Sequence, residues 1–316
     1  MPSIDMPLDQ LRQYKPSLYR QEDFEKFWEQ TVTEAQAQPL NAELIPYDLP
    51  IRGLECFAVR FDGYKGGRLA GWYARPEGRG KSPGVCIYHG YSGRGARPME
   101  MIPLAAAGLC VLSMDCRGQN GQSQDAAVYS EGHEVGWMTV GIRDQWNYYY
   151  RNVYADALRA LELLAHRDEV DPRRLAIMGT SQGGGLTLAV AGLSRKPILA
   201  LPDVPFLCDY RRAINVATAG PYQELTCFLR SFPHLYDQVV RTLSYVDCLN
   251  LAPWITCRTV VSNNLWDDMC PPSTIYGVYN HITAEKQMEV YPFHKHDVAY
   301  ERHEQKLRLL SEVLRP

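Results

Sequence analysis

Short apolar runs separated by turn-forming residues set the rhythm of the chain. PGVCIYHG (83–90), GLCVLSMD (108–115), RLAIMGT (174–180), CRTVVSN (257–263) and QMEVYPF (287–293) are too short for helices and nearly continuous in apolar residues. Strands buried on both faces of a parallel sheet have that composition, because helices cover them on either side. Between the runs, apolar positions recur at helical spacing. Tyr154, Ala157, Leu158, Leu161 and Leu164 form one stripe in Arg151–Ala165, and Gln182–Leu193 and Glu304–Leu314 are further helical stretches. Near the N-terminus, after an extended start, Phe24, Phe27, Trp28 and Val32 predict an amphipathic helix laid over the body of the protein.

This alternation predicts an α/β protein with a mostly parallel twisted sheet flanked by helices. The segment from about 205 to 249 breaks the rhythm. It carries Phe206, Tyr210, Tyr222, Phe228, Phe232 and Tyr236 at helical spacings and is read as an inserted helical cap. No repeat, low-complexity tract or Gly/Ser linker interrupts the chain, so residues 1–316 are read as a single domain.

Composition removes several function classes. With 46% hydrophobic and 22% charged residues the chain has ordinary globular usage. Lys and Arg total 33 against 36 Asp and Glu, a net charge of −3, and no basic stripe is present, so nucleic acid is not an expected partner. The longest apolar run, Ile102 to Leu112, has eleven residues. A membrane-spanning helix needs about 20, so no membrane association is expected. The start, MPSIDMPLDQLRQYK, lacks the apolar core of a signal peptide. Nine cysteines fall in no CxxC pair and no zinc-ligand spacing, and are read as buried free thiols in a reducing compartment, the cytoplasm.

The strongest chemical signal is Gly179-Thr180-Ser181-Gln182-Gly183, where an apolar run meets a helical stretch. A nucleophile on a sharp strand-to-helix turn needs small residues two before and two after it, since backbone crowds there. Such a string arises by composition in about one chain in ten of this size; its placement makes Ser181 the candidate nucleophile. Serine needs a base, and the base needs an acid to orient it. In this arrangement the chain order is Ser, acid, His. Of the eight histidines, His294 and His296 follow the last apolar run, at the carboxyl edge where open parallel sheets bind ligands. His234 lies in the expected cap, His281 before the last strand and His303 in the terminal helix. Asp267 and Asp268 both follow the run at 257–263, so each pair holds one candidate. A tetrahedral oxyanion requires backbone donors, for which the amides of Gln182 and Tyr91 are placed, while His89 reads as a positioning or packing residue.

Taken together these residues resemble the acetyl xylan esterase/cephalosporin-C deacetylase family, carbohydrate esterase family seven, of the α/β-hydrolase superfamily. The resemblance rests on Arg117-Gly118-Gln119, Gly179-Thr180-Ser181-Gln182-Gly183 and His296-Asp297, and extends to LDQLRQYKP, YYYRNVYADALRALE and DDMCPPSTIYGVYNH. It implies an α/β-hydrolase fold and a serine esterase acting through Ser181, His296 and Asp267. In the family the acid stands four residues before the first proline of a Pro-Pro pair. Counting back from Pro271 gives Asp267 rather than Asp268, and the family's His-Glu pair falls on His296-Asp297 rather than His294. The oxyanion tyrosine falls on Tyr91, which also borders the substrate with Phe206, and Arg117, Gly118 and Gln119 support the site by hydrogen bonds.

Two departures stand out: Asp297 replaces glutamate, and Phe206 stands where the family often has tyrosine. The resemblance further implies deacetylation of xylo-oligosaccharides and cephalosporin C, no metal or cofactor, and a hexamer with sites facing an internal cavity. A broad short-chain carboxylesterase would use the same residues. A prolyl-oligopeptidase-type peptidase has no room here for a propeller, and a non-catalytic binding module would have lost one of the three residues.

Overall fold

The computed structural model describes residues 4–78, 80–129 and 133–315. Its strands are β1 (Glu43–Tyr47), β2 (Leu54–Asp62), β3 (Arg68–Pro76), β4 (Ser82–Tyr88), β5 (Cys110–Met114), β6 (Val170–Thr180), β7 (Pro197–Asp203), β8 (Arg258–Asn264) and β9 (Lys286–Tyr291). They form one nine-stranded sheet in the order β1-β2-β3-β5-β4-β6-β7-β8-β9. The contacts β1/β2, β2/β3 and β3/β5 are antiparallel and all others parallel. The five apolar runs read as strands all lie in the parallel part.

The helices are α1 (Leu8–Gln13), α2 (Phe24–Ala37), α3 (Pro98–Ala106), α4 (Tyr149–Ala165), α5 (Gln182–Leu193), α6 (Tyr210–Val216), α7 (Tyr222–Ser231), α8 (Tyr236–Val246), α9 (Cys248–Leu251), α10 (Pro272–His281) and α11 (Tyr300–Val313). The helix α1 replaces part of the extended start, and α11 begins one turn earlier than its apolar spacing indicated. No helix among the described residues is long and apolar enough to cross a membrane.

Helix α4 differs most from its sequence pattern. Its apolar stripe predicted one buried face, yet every residue except Glu162 is buried. The N-terminal segment and the loop after β5 cover its polar side, and each charge there has partners. Arg151 donates to Thr31 Oγ1 (2.9 Å) and stacks over Phe27 and Trp146. Arg159 donates to the carbonyls of Ala35, Gln38 (3.0 Å) and Pro39 (2.8 Å) at the end of α2. Trp28 of α2 stacks on Tyr154 at 5.7 Å and donates its indole N–H to Tyr245 O (2.8 Å). Buried polar groups cost stability unless hydrogen-bonded, so the covering segment and α4 are specified together.

At the other side of the sheet, Asp203 at the end of β7 is fully buried between Arg302 (2.7 Å) and Lys306 (2.5 Å) of α11. Burial alone would raise its carboxyl; Lys306 and Arg302 outweigh it and hold the pKa below the usual range. The same residue's carbonyl accepts from the backbone N–H of Ser181 (2.9 Å). This tie connects the terminal helix to the candidate site.

Candidate active site

Ser181 sits between β6 and α5 with φ 57° and ψ −117°. For a residue with a Cβ that conformation costs about 1–3 kcal/mol and persists only where its surroundings impose it. Here three backbone bonds do so: Ser181 N–H to Asp203 O, and Ser181 O accepting from Gly185 N–H (3.0 Å) and Phe206 N–H (2.9 Å). The flanking glycines are required by contact. A Cβ on Gly183 would stand 2.0 Å from Tyr88 O, and one on Gly179 2.5 Å from the Gly183 backbone. The result is a serine hydroxyl turned out of the fold at the start of α5. Gln182 is that helix's first residue, so its N–H has no acceptor within the helix.

The loops after β8 and β9 converge on this hydroxyl. His296 Nε2 lies 2.9 Å from Ser181 Oγ, and His296 Nδ1 lies 2.7 Å from Asp267 Oδ2. Asp267 is fully buried, and its other oxygen accepts from the N–H groups of Met269 (3.0 Å) and Cys270 (2.8 Å). A carboxylate held this way accepts a hydrogen bond from Nδ1–H, which leaves Nε2 to accept from the serine hydroxyl. His294 is turned away, with Nδ1 2.6 Å from Asp297 Oδ2 at the exposed rim. Asp268 offers its backbone carbonyl to Thr218 N–H (3.1 Å). Of the two histidines and two aspartates left open by spacing, the structure therefore brings His296 and Asp267 together with Ser181. Asp297 also accepts, through its backbone carbonyl, from Asn264 Nδ2 (2.7 Å), which fixes the histidine loop to the end of β8.

His89 is committed to backbone. Its Nε2 accepts from Cys116 N–H (2.8 Å), so Nδ1 donates to Gly90 O (2.7 Å). Burial lowers its pKa, keeping the ring neutral. Gln119 and Gln182 pair amide to amide (2.9 and 3.2 Å), and Gln119 Oε1 also accepts from Ser92 N–H (3.0 Å). These bonds join the loop after β4, the Arg117-Gly118-Gln119 loop and the start of α5. Gly118 takes φ 63°, which a side chain would strain, and Arg117 forms a bidentate pair with Asp156 of α4 (2.7 and 2.8 Å).

Tyr91 is half-buried beside Ser181's loop, with its ring edge-on to Phe206 at 6.1 Å. Phe206 is 1% exposed and packs on Tyr222 at 4.3 Å, so it forms an apolar wall. Three neighbours were not apparent from sequence. Tyr91 Oη donates to Glu224 Oε1 (2.5 Å), and Trp137 stands edge-on to the Tyr91 ring at 5.3 Å. Cys270 is buried next to Asp267, with its thiol pKa pushed well above the usual value by burial. A glutamate in an amphipathic helix resembles a solvated residue, and only the fold reveals that Glu224 points inward.

Asp267, Cys270 and His296 are also the group of potential metal ligands among the described residues, their ligand atoms lying within 4.8 Å of one another. Both imidazole nitrogens are already engaged, so a metal would have to displace one of those hydrogen bonds.

Comparison with known proteins gives a consistent result. Residues 1–313 match the family model described as acetyl xylan esterase (AXE1). Acetyl esterase Axe7A of Xylanibacter ruminicola is 28% identical over 288 residues, 89% of this chain, and this chain spans 65% of that relative's length. The acetyl xylan esterase from Paenibacillus sp. R4 superposes with a TM-score of 0.95 at 40% identity, covering 98% of this chain and 100% of that one. The α/β hydrolase GrgF from Penicillium sp. sh18, at 16% identity and a TM-score of 0.59, covers 82% of this chain and 99% of its own and shares the fold alone.

Proposed function

The chain belongs to the acetyl xylan esterase family and has the α/β-hydrolase fold, and from that premise we propose that it is a serine esterase removing acetyl groups from short acetylated xylo-oligosaccharides and from cephalosporin C. The observation that carries this reading is the relay from Asp267 through His296 (2.7 Å) to a strained, outward-turned Ser181 (2.9 Å). Ser181 Oγ attacks the acetyl carbonyl as its proton passes to His296 Nε2, and the Asp267 carboxylate stabilises the imidazolium. The oxyanion lies against the backbone N–H groups of Tyr91 and Gln182. Collapse breaks the ester C–O bond, His296 returns the proton to the departing sugar hydroxyl, and acetyl stays on Ser181. Water, deprotonated by His296, then releases acetate.

Acetate release from acetylated xylo-oligosaccharides, together with fluorophosphonate labelling of the protein that Ser181→Ala abolishes, tests the reading directly. Deacetylation without Ser181 labelling would overturn it.

Acyl length tests its narrower part. The acyl group shares its space with the Tyr91 ring and the fully packed Phe206. A methylene that finds apolar room gains about 0.8 kcal/mol, whereas one forced into a packed wall costs about 1–3 kcal/mol. At about 1.4 kcal/mol per tenfold in rate, p-nitrophenyl acetate is expected to exceed the butyrate ester by about tenfold in kcat/KM, with octanoate lower still. A flat or rising series would select the broad short-chain carboxylesterase instead.

A further inference from the structure

We propose that Glu224 is a positioning residue for ester hydrolysis at Ser181, holding the Tyr91 loop, and with it the Tyr91 backbone amide, in the geometry that receives the oxyanion. The inference rests on the esterase reading above. It concerns a residue on α7 that is far in sequence from every group in that mechanism.

The contacts form a closed figure. Tyr91 Oη donates to Glu224 Oε1 (2.5 Å) and accepts from Trp137 N–H (2.6 Å), while Glu224 Oε2 accepts from Met138 N–H (2.9 Å). One carboxylate thus joins three separate pieces of chain: the loop after β4, the loop bearing Trp137, and α7. The N–H to O–H to carboxylate sequence is charge-assisted, and each bond polarises the next. The loop at 136–138 is built around the carboxylate. Gly136 takes φ +111°, and a Cβ there would stand 2.2 Å from Glu224 Oε1. The phenol ring is also gripped edge-on by Trp137 (5.3 Å) and Phe206 (6.1 Å). Tyr91 is therefore fixed at its hydroxyl and along its ring.

The reason for such a fixture lies in the chemistry. Backbone donors stabilise a developing oxyanion only when already aimed at where its charge will be, and loss of one donor costs about 10²–10³ in rate. Gln182 N–H is held by α5, a rigid element. Tyr91 N–H sits on a loop, and a displacement of about 1 Å is enough to lose 10². The Glu224 clamp supplies to that loop the rigidity that the helix gives Gln182.

The test compares Glu224→Ala, Glu224→Gln and Tyr91→Phe, singly and as the Glu224→Ala/Tyr91→Phe double variant, on p-nitrophenyl acetate. Glu224→Ala is expected to lower kcat about 30–100-fold with KM changed less than threefold, within the range set by a displaced donor. Glu224→Gln keeps an acceptor for Tyr91 but turns an amide NH2, a donor, toward Met138 N–H, and falls between. The double variant should be no more than about twofold worse than the weaker single, because both act through one phenol. Inhibition by phenylboronic acid, which adds to the serine as a tetrahedral oxyanion mimic, should weaken in step with kcat. A folding defect alone would lower active-site titre by fluorophosphonate without moving these ratios. Retention of kcat by Glu224→Gln and Glu224→Ala, or full multiplication of the two effects, would overturn the inference. Activity persisting in Ser181→Ala would instead overturn the esterase reading on which it stands.

Discussion

Replacing Ser181 with alanine is expected to lower kcat for p-nitrophenyl acetate by on the order of 10⁶, and Asp267→Asn by about 10⁴. On the proposed mechanism the serine change removes the atom that would form the acyl-enzyme, so what survives is only binding and oxyanion stabilisation. The aspartate change acts one step away. An amide at position 267 presents an N–H or a weaker acceptor to His296 Nδ1, now 2.7 Å from a carboxylate oxygen. The imidazole is then stabilised in the tautomer that cannot accept from Ser181. The neighbouring Asp268→Asn is expected to retain most activity, because Asp268 is tied to Thr218 N–H through its backbone carbonyl (3.1 Å), which the substitution keeps. His296→Ala should match Ser181→Ala, and combining the two should cost little more, since the three residues act as a unit. Steady-state kinetics with Tm measured alongside separates these from folding losses. An Asp268→Asn loss equal to that of Asp267→Asn would show the acid to be misassigned.

What the sequence made legible follows from burial. The strands β4, β5, β6 and β8 are covered on both faces and so write continuous apolar runs. The strands β1 to β3 pair antiparallel toward an edge and are only partly buried, with polar and charged residues among the apolar ones, as in LECFAVRFD, so their apolar signal is broken. The strand β7, PILALPD, ends in Pro-Asp, which reads as a turn although Asp203 is buried between two cations. At the site, the residues under the tightest backbone constraint were visible. Gly179 and Gly183, which flank Ser181, leave no room for a Cβ against Tyr88 O, and the string could be recognised as a turn. Spacing alone left Asp267 open against Asp268 and His296 open against His294; the resemblance favoured the members that the fold brings together. Glu224 and Asp156 left no trace, since a charged residue in a helical pattern is indistinguishable from a solvated one until its partner is known.

Arg117→Ala is expected to destabilise the protein by about 3–5 kcal/mol, the cost of leaving a buried charge without its partner. Neither member of the Arg117–Asp156 pair is exposed. The guanidinium donates to both Asp156 oxygens (2.7 and 2.8 Å) and to Tyr64 O (2.7 Å), so a single side chain satisfies a helix, a loop and the segment before β3. Burial already raises the Asp156 carboxyl above its usual range even against the Arg117 charge. Without arginine that carboxyl rises further and takes up a proton in the folded state. Its folded pKa then exceeds the unfolded value of about 3.9, so the penalty is small near pH 4 and grows as pH rises above it, until the folded pKa is passed. Urea unfolding at pH 4.5 and pH 7 should therefore show a larger gap between wild type and Arg117→Ala at pH 7. The double variant Arg117→Met/Asp156→Leu, apolar and similar in volume, should recover most of the stability. Its activity should recover with its stability, because the residue 117 carbonyl still accepts from Tyr149 Oη (2.7 Å) and the same loop still carries Gln119 to Gln182. A loss below about 1 kcal/mol in Arg117→Ala, the range of an exposed pair, would mean that water reaches Asp156 and that the pair is not the fastening described here.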